Sequence, residues 1–148
     1  MKDKMKATVL IFSVFSLFIF SCKSSNVILE NNNMDDVILL PHVEIKPMFN
    51  GKEYVDGFRE YIYQNVKYPI EAMKSSISGT VIVQFIIEKD GSVSNAKVIK
   101  SAHKLLDYEA LRIIKQSPNW TPASKENEKV RVLINFPVTF RYLGNINP

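Results

Sequence analysis

Val130-Arg131-Val132-Leu133-Ile134-Asn135-Phe136-Pro137-Val138-Thr139-Phe140 carries a single side-chain period from end to end. Val130, Val132, Ile134, Phe136, Val138 and Phe140 take alternate positions, opposed by Arg131, Leu133, Asn135, Pro137 and Thr139. Successive side chains of a strand point to opposite faces, so this stretch presents a wholly apolar face to a core and a mixed face away from it. Pro137 cannot donate to a ladder, which places the strand, or at least that half of it, at a sheet edge. An edge with unpaired N–H and C=O groups is a template for a strand from another chain. The even positions are therefore assigned to core packing. The backbone and the odd residues Arg131, Leu133, Asn135, Pro137 and Thr139 form the candidate partner-binding edge.

Upstream, Thr80 to Glu88 also alternates, with Val81, Val83, Phe85 and Ile87 on one side and Ile82, Gln84, Ile86 and Glu88 on the other. One apolar and one mixed side fit an antiparallel sheet covered by helices on the apolar side. Asp90-Gly91 stands between this strand and Ser92 to Lys100, a short-range hairpin signal, so these two strands pair. A calcium loop at Asp90 would need alternating acidic ligands, which are missing. Leu105 to Lys115 has helical spacing, with Leu105, Tyr108 and Leu111 on one stripe and Leu106, Ala110, Ile113 and Ile114 beside it; Ser117-Pro118-Asn119 ends that helix. Trp120-Thr121-Pro122 leads into a polar loop, Ser124 to Glu128. Earlier in the chain, Phe58, Ile62 and Val66 recur four apart over Asp56 to Val66, with Asp56 as the expected N-cap. Pro69 then opens a short turn through Ile70 to Met73, and Gly79 follows as the stop. Trp120 and Phe85 are expected inside the core.

These residues carry a resemblance. Tyr68-Pro69-x-Glu71-Ala72, Gly79-Thr80-Val81-x-Val83-x-Phe85, Asp90-Gly91-Ser92-Val93, Leu106-Asp107-x-Glu109-Ala110-Leu111, Trp120-x-Pro122 and Phe136-Pro137-Val138-x-Phe140 stand in the order and spacing of the TonB C-terminal domain family. Met48-Phe49-Asn50-Gly51 is similar to the lead-in of many such domains. The resemblance runs from near Val43 to Tyr142. It implies a small two-layer α+β domain, a three-stranded antiparallel sheet with two helices on one face. It further implies that a sheet edge receives a short strand, the TonB box, from a TonB-dependent outer-membrane receptor or a similar protein, with no enzymatic activity and no cofactor.

The N-terminus reads as a targeting segment. Lys2, Lys4 and Lys6 precede an apolar run of 14 residues, Ala7 to Phe20, which is interrupted only by Thr8, Ser13 and Ser16. A membrane span needs about 20 apolar residues and a signal-peptide core about 7 to 15, so length favours the signal peptide. Ser21-Cys22 then resembles the lipobox of a bacterial lipoprotein signal, which implies cleavage after Ser21 and lipid on Cys22. The expected organisation is a signal peptide over 1–21, a lipid-anchored tether with one docking strand over 22–42, the domain over 43–142 and a tail over 143–148. Before Val43 the tether holds one proline, Pro41, and the run is too short to span. Both features favour a lipid-anchored binding module over a complete energy transducer, and Lys23-Ser24-Ser25-Asn26, which lacks the acidic cluster of some lipoprotein surface-export signals, favours the periplasm-facing side. The alternative is a structural or accessory envelope lipoprotein of the same fold.

Composition bounds the remaining classes. The chain has 148 residues, 46% hydrophobic and 23% charged, which suits one globular domain. Of the formal charge of +4, the leading Lys2, Lys4 and Lys6 against Asp3 account for half. No basic run or aromatic-interleaved patch follows, so nucleic acid is not an expected partner. With one cysteine and two histidines, His42 and His103, neither a disulfide framework nor a multi-cysteine zinc site is available, and no metal is expected. Ser101, His103 and Asp107 lie near one another in sequence, but His103 is expected to be an exposed loop histidine. Gly-x-Ser-x-Gly, His-Glu-x-x-His and phosphate-loop motifs are absent. Glu71, Asp107 and Glu109 are assigned to helix starts and solvated faces. A homodimer is left open.

Overall fold

The computed structural model describes Met34 and residues 36–144. The signal segment and Cys22 lie outside the described residues. Three long strands, β4 (Gly79–Ile87), β5 (Val93–Lys100) and β7 (Glu128–Phe140), form the antiparallel frame that the alternation predicts. The sheet is larger than the expected three strands. Its order is β1-β7-β4-β5, with β1 (Val37–Leu39) parallel to β7 and a fifth strand, β6 (Ala123–Lys125), also paired to β7. Neither short strand is long enough to show a period of its own. β6 overlaps the start of the stretch read as a polar loop, Ser124 to Glu128, and the two-residue turn after it places Glu126 and Asn127 at φ 53° and 63°. Both central residues at positive φ match the twist that joins paired strands. A small separate hairpin, β2 (Met48–Phe49) and β3 (Lys52–Glu53), turns on Asn50-Gly51, an Asn-Gly signal that was legible in the sequence.

Helix α1 spans Tyr54–Asn65, so Asp56 is not its cap. Asp56 sits in the first turn beside Arg59, and Glu53 precedes the helix without a side-chain cap bond. Pro69 immediately precedes α2 (Ile70–Lys74), while Gly79 begins β4 instead of ending a helix. Helix α3 spans Lys104–Lys115. Its buried stripe is Leu106, Glu109, Ala110, Ile113 and Ile114; Tyr108, placed on one apolar stripe with Leu105 and Leu111, is exposed.

The even side chains of β7 and the matching face of β4 pack under the helices. Val81, Val83, Phe85, Ile87, Val132, Ile134, Phe136, Val138 and Phe140 are all buried. Trp120 and Phe85 lie inside as expected, in a cluster with Phe49, Phe58 and Phe136. Phe58 centres this cluster, with ring centroids 4.6 Å from Trp120 and 5.0 Å from Phe49 and Phe136, close aromatic pairing that adds to the area buried. Among the described residues no helix covers the opposite face of the sheet, and there Asn135, Pro137 and Thr139 of β7 are exposed while Arg131 and Leu133 are half-buried.

Candidate protein-docking edge

β7 is hydrogen-bonded to β4 from Val132 to Phe140 in one uninterrupted register. In an antiparallel ladder, pairs that exchange both bonds alternate with pairs whose N–H and C=O point away. Pro137 pairs with Ile82 and has no N–H to exchange, so it belongs to the second kind. Counting in twos, Arg131, Leu133, Asn135, Pro137 and Thr139 all direct their backbone polar groups away from β4. This phase gives the odd residues two separate properties. Their side chains lie on the helix-free face, and their backbones face the far edge of the strand.

That edge is divided. β1 covers its first part, pairing Val37, Ile38 and Leu39 with Arg131, Val132 and Leu133. Leu40–His42 then forms a single 3-10 turn, and Leu40 and Pro41 stand beside Leu133, Ile134 and Asn135. Beyond Leu133, no strand among the described residues pairs on that side. Asn135, Pro137 and Thr139 are exposed, and together they offer three outward carbonyls and two outward N–H groups. Their side chains are steadied by β4: Gln84 Nε2 donates to Asn135 Oδ1 at 3.0 Å, and the Thr80 and Thr139 hydroxyls are 3.0 Å apart. Alongside runs an open groove of about 200 Å³ lined by Arg59, Ile62 and Tyr63 of α1, by Val66 just after it, and by Phe136, Pro137 and Thr139. An added strand would therefore find backbone partners on one side and an apolar wall with one cation on the other.

Arg131 is tied down on both sides. Its Nε donates to Glu88 Oε2 at 2.7 Å, one terminal nitrogen to Glu88 Oε1 at 3.0 Å and the other to Asp36 Oδ1 at 2.6 Å. Hydrogen bonding to this guanidinium holds the Glu88 carboxyl below the usual carboxylate range, against the opposing effect of partial burial, and Ser94 Oγ adds a further bond. The same guanidinium lowers Asp36, and the two carboxylates in turn raise Arg131.

The other sheet edge is poorly suited to docking. β5 departs from regular register with β4 at two places, Asn95 sits at φ 50°, and Lys97 and Lys100 are exposed along it. Irregularity and lysines are the features that keep an edge strand from pairing.

The residues considered for catalysis have local structural work. His103 is the N-cap of α3, its Nδ1 accepting the Leu105 N–H at 3.2 Å, and it is half-buried instead of a free loop side chain. Asp107 accepts Ser101 Oγ at 2.5 Å and the Ala102 N–H at 3.2 Å, so all three side chains hold the entry to that helix. Glu109, assigned to a solvated face, is 5% exposed, a position helical spacing could have shown because it falls on the Leu106–Ile113 stripe. Among the described residues no three His, Cys, Asp or Glu side chains gather as metal ligands, and no helix is long and apolar enough to cross a membrane.

The family model described as the Gram-negative bacterial TonB protein C-terminal matches residues 64–142. Protein TonB of Helicobacter pylori strain 26695 is 32% identical over 87 residues, which are 58% of this chain and 30% of that protein. The strain J99 protein is also 32% identical, with 31% of its length covered. The chain thus spans less than a third of the curated relatives it matches. Two solution structures of the Helicobacter pylori TonB C-terminal domain are each 28% identical. The first covers 64% of this chain and 99% of its own, with a TM-score of 0.48. The second covers 56% and 75%, with a TM-score of 0.45.

Proposed function

This chain belongs to the TonB C-terminal family, and on that premise we propose that it is a binding module whose β7 edge docks a short receptor segment, the TonB box, by strand addition in transport across the outer membrane. The observation that carries this reading is the outward phase of the odd β7 backbone, set by Pro137 and, among the described residues, left without a partner strand from Asn135 to Thr139. The module acts by binding and carries out no chemistry. Lipid on Cys22 anchors it in the envelope, facing the periplasm, and the tether that follows keeps the domain close to its membrane.

The expected affinity is modest. About five backbone hydrogen bonds at about 0.5 to 1.5 kcal/mol each give a gross gain of a few kcal/mol, reduced by the cost of ordering the guest. Confinement near one membrane offsets part of that cost by raising the effective concentration.

Proline at 135 or 139 removes an outward N–H without touching the apolar face or the backbone ladder to β4, although each also gives up one side-chain bond, to Gln84 or to Thr80. Asn135→Pro and Thr139→Pro are expected to keep the melting temperature within a few degrees of the unaltered chain and to lose capture of a synthetic TonB-box peptide. A stable variant that still captures the peptide rejects this edge. Mass spectrometry of the mature N-terminus tests the anchor separately: an acylated Cys22 is expected, and an intact Met1 in the membrane fraction refutes it.

A further inference from the structure

The N-terminal part of the docking edge is already filled by the chain itself. β1 uses the outward backbone groups of Arg131 and Leu133, and the turn at Leu40–His42 stands beside Asn135. A guest is then limited to Asn135–Thr139, where Pro137 has no N–H and two donors remain. We propose that β1 is a removable occupant of this edge, and that a full-length guest strand is admitted only when residues 36–39 leave Arg131–Leu133. This rests on the reading of β7 as the docking edge.

The hold of β1 is shallow. It is three residues long, none of them is fully buried, and Leu39 is 53% exposed. Its other attachment is at the surface, where Asp36 meets Arg131 at 2.6 Å and Lys89 at 4.0 Å. Departure of Asp36 does not strand the Arg131 charge, because Glu88 retains it through two hydrogen bonds on the other side. The frame of β7 is likewise independent of β1, since nine residue pairs with β4 hold it from Val132 to Phe140. Both states of the edge therefore leave the core and the half-buried guanidinium satisfied. Short, solvent-exposed pairing of this kind belongs to the low-stability end of local opening.

Two measurements on the full chain test this. Hydrogen exchange is expected to be at least tenfold faster at the Arg131 and Leu133 amides, which face β1, than at the Val132 and Ile134 amides, which face β4. Ile38→Pro removes the central N–H of β1. This variant is expected to stay folded and to bind two probes at least tenfold more tightly than the unaltered chain: a peptide copying Met34 to Leu40, and a synthetic TonB-box peptide. Asp36→Ala is expected to give a smaller gain of about threefold. Equal exchange on the two sides of β7 overturns the proposal. An Ile38→Pro chain that unfolds also overturns it, since β1 is then integral to the fold, and so does a folded one with unchanged binding of the Met34–Leu40 peptide. If that peptide gains affinity while the TonB-box peptide binds neither chain, the removable occupant stands and the receptor reading fails. If the TonB-box peptide binds both chains equally, the receptor reading stands and the occupant is not in its way.

Discussion

The carboxylate of Glu109 accepts the backbone N–H of Lys67 at 2.6 Å, a contact between α3 and the segment that follows α1. Arg112 completes the arrangement with bonds of 2.7 and 2.6 Å to the two carboxylate oxygens and one of 3.3 Å to the Asn65 carbonyl. A single buried acid thus satisfies the N–H beyond one helix and fixes the cation that satisfies a carbonyl at its end. The two helices are held in register over the sheet by this polar pin as well as by apolar packing.

Glu109→Ala is expected to destabilise the domain by about 2 to 4 kcal/mol, because it leaves the Lys67 N–H and the Arg112 guanidinium without their shared acceptor. Glu109→Gln retains an acceptor for Lys67 and is expected to cost less. Chemical denaturation of both variants checks the order, and a loss below about 1 kcal/mol for the alanine variant contradicts it.

Phe85 and Trp120 are 0% and 3% exposed, with ring centroids 5.8 Å apart. Truncation of either to alanine is expected to cost about 3 to 5 kcal/mol, the range for removing a large buried aromatic side chain. The Trp120 variant also orphans the Ser117 hydroxyl, which accepts its indole N–H at 3.3 Å. Equilibrium unfolding in urea measures both.

Gly91 has φ +87°, and a Cβ added there would lie 2.0 Å from the Trp120 carbonyl oxygen. Its own carbonyl accepts the Trp120 N–H at 2.8 Å, so the hairpin tip and the Trp120 backbone are in direct contact. Gly91→Ala is therefore expected to lower stability by more than the roughly 1 kcal/mol that positive φ alone costs. A thermal melt within error of the unaltered chain would sink this account of the tip.

Stability should also fall in acid through Glu88 and Asp36. Both are depressed by Arg131, with Lys89 also lowering Asp36 and the nearby Asp90 opposing at Glu88. A folded-state pKa below the unfolded value contributes stability that is complete above the ordinary carboxylate range and is lost as pH falls through the folded value. Melts of the unaltered chain should hold steady from neutral pH down to that range and decline beneath it. Arg131→Met should start lower at neutral pH and decline less, so that the two curves converge in strong acid. Parallel curves would show that Arg131 does not set this dependence.

What the sequence determined alone is the framework. The alternation from Val130 to Phe140 assigns each side chain to a face because a strand has a period of two, and Pro137 adds the phase of the backbone by lacking one donor. Asp90-Gly91 marks the β4–β5 hairpin because the turn needs a residue at positive φ, which Gly91 supplies. Tertiary structure decided which edge is occupied and which polar groups are inside. Val37-Ile38-Leu39 is too short to show any period, so its pairing with β7 depends on the docking of the chain and on Asp36 reaching Arg131. Glu109 and Tyr108 are neighbours on α3, and their composition suggests the acid outside and the ring inside. The reverse holds because the Lys67 N–H and the Arg112 guanidinium meet that carboxylate in the interior, where an unpaired charge could not remain.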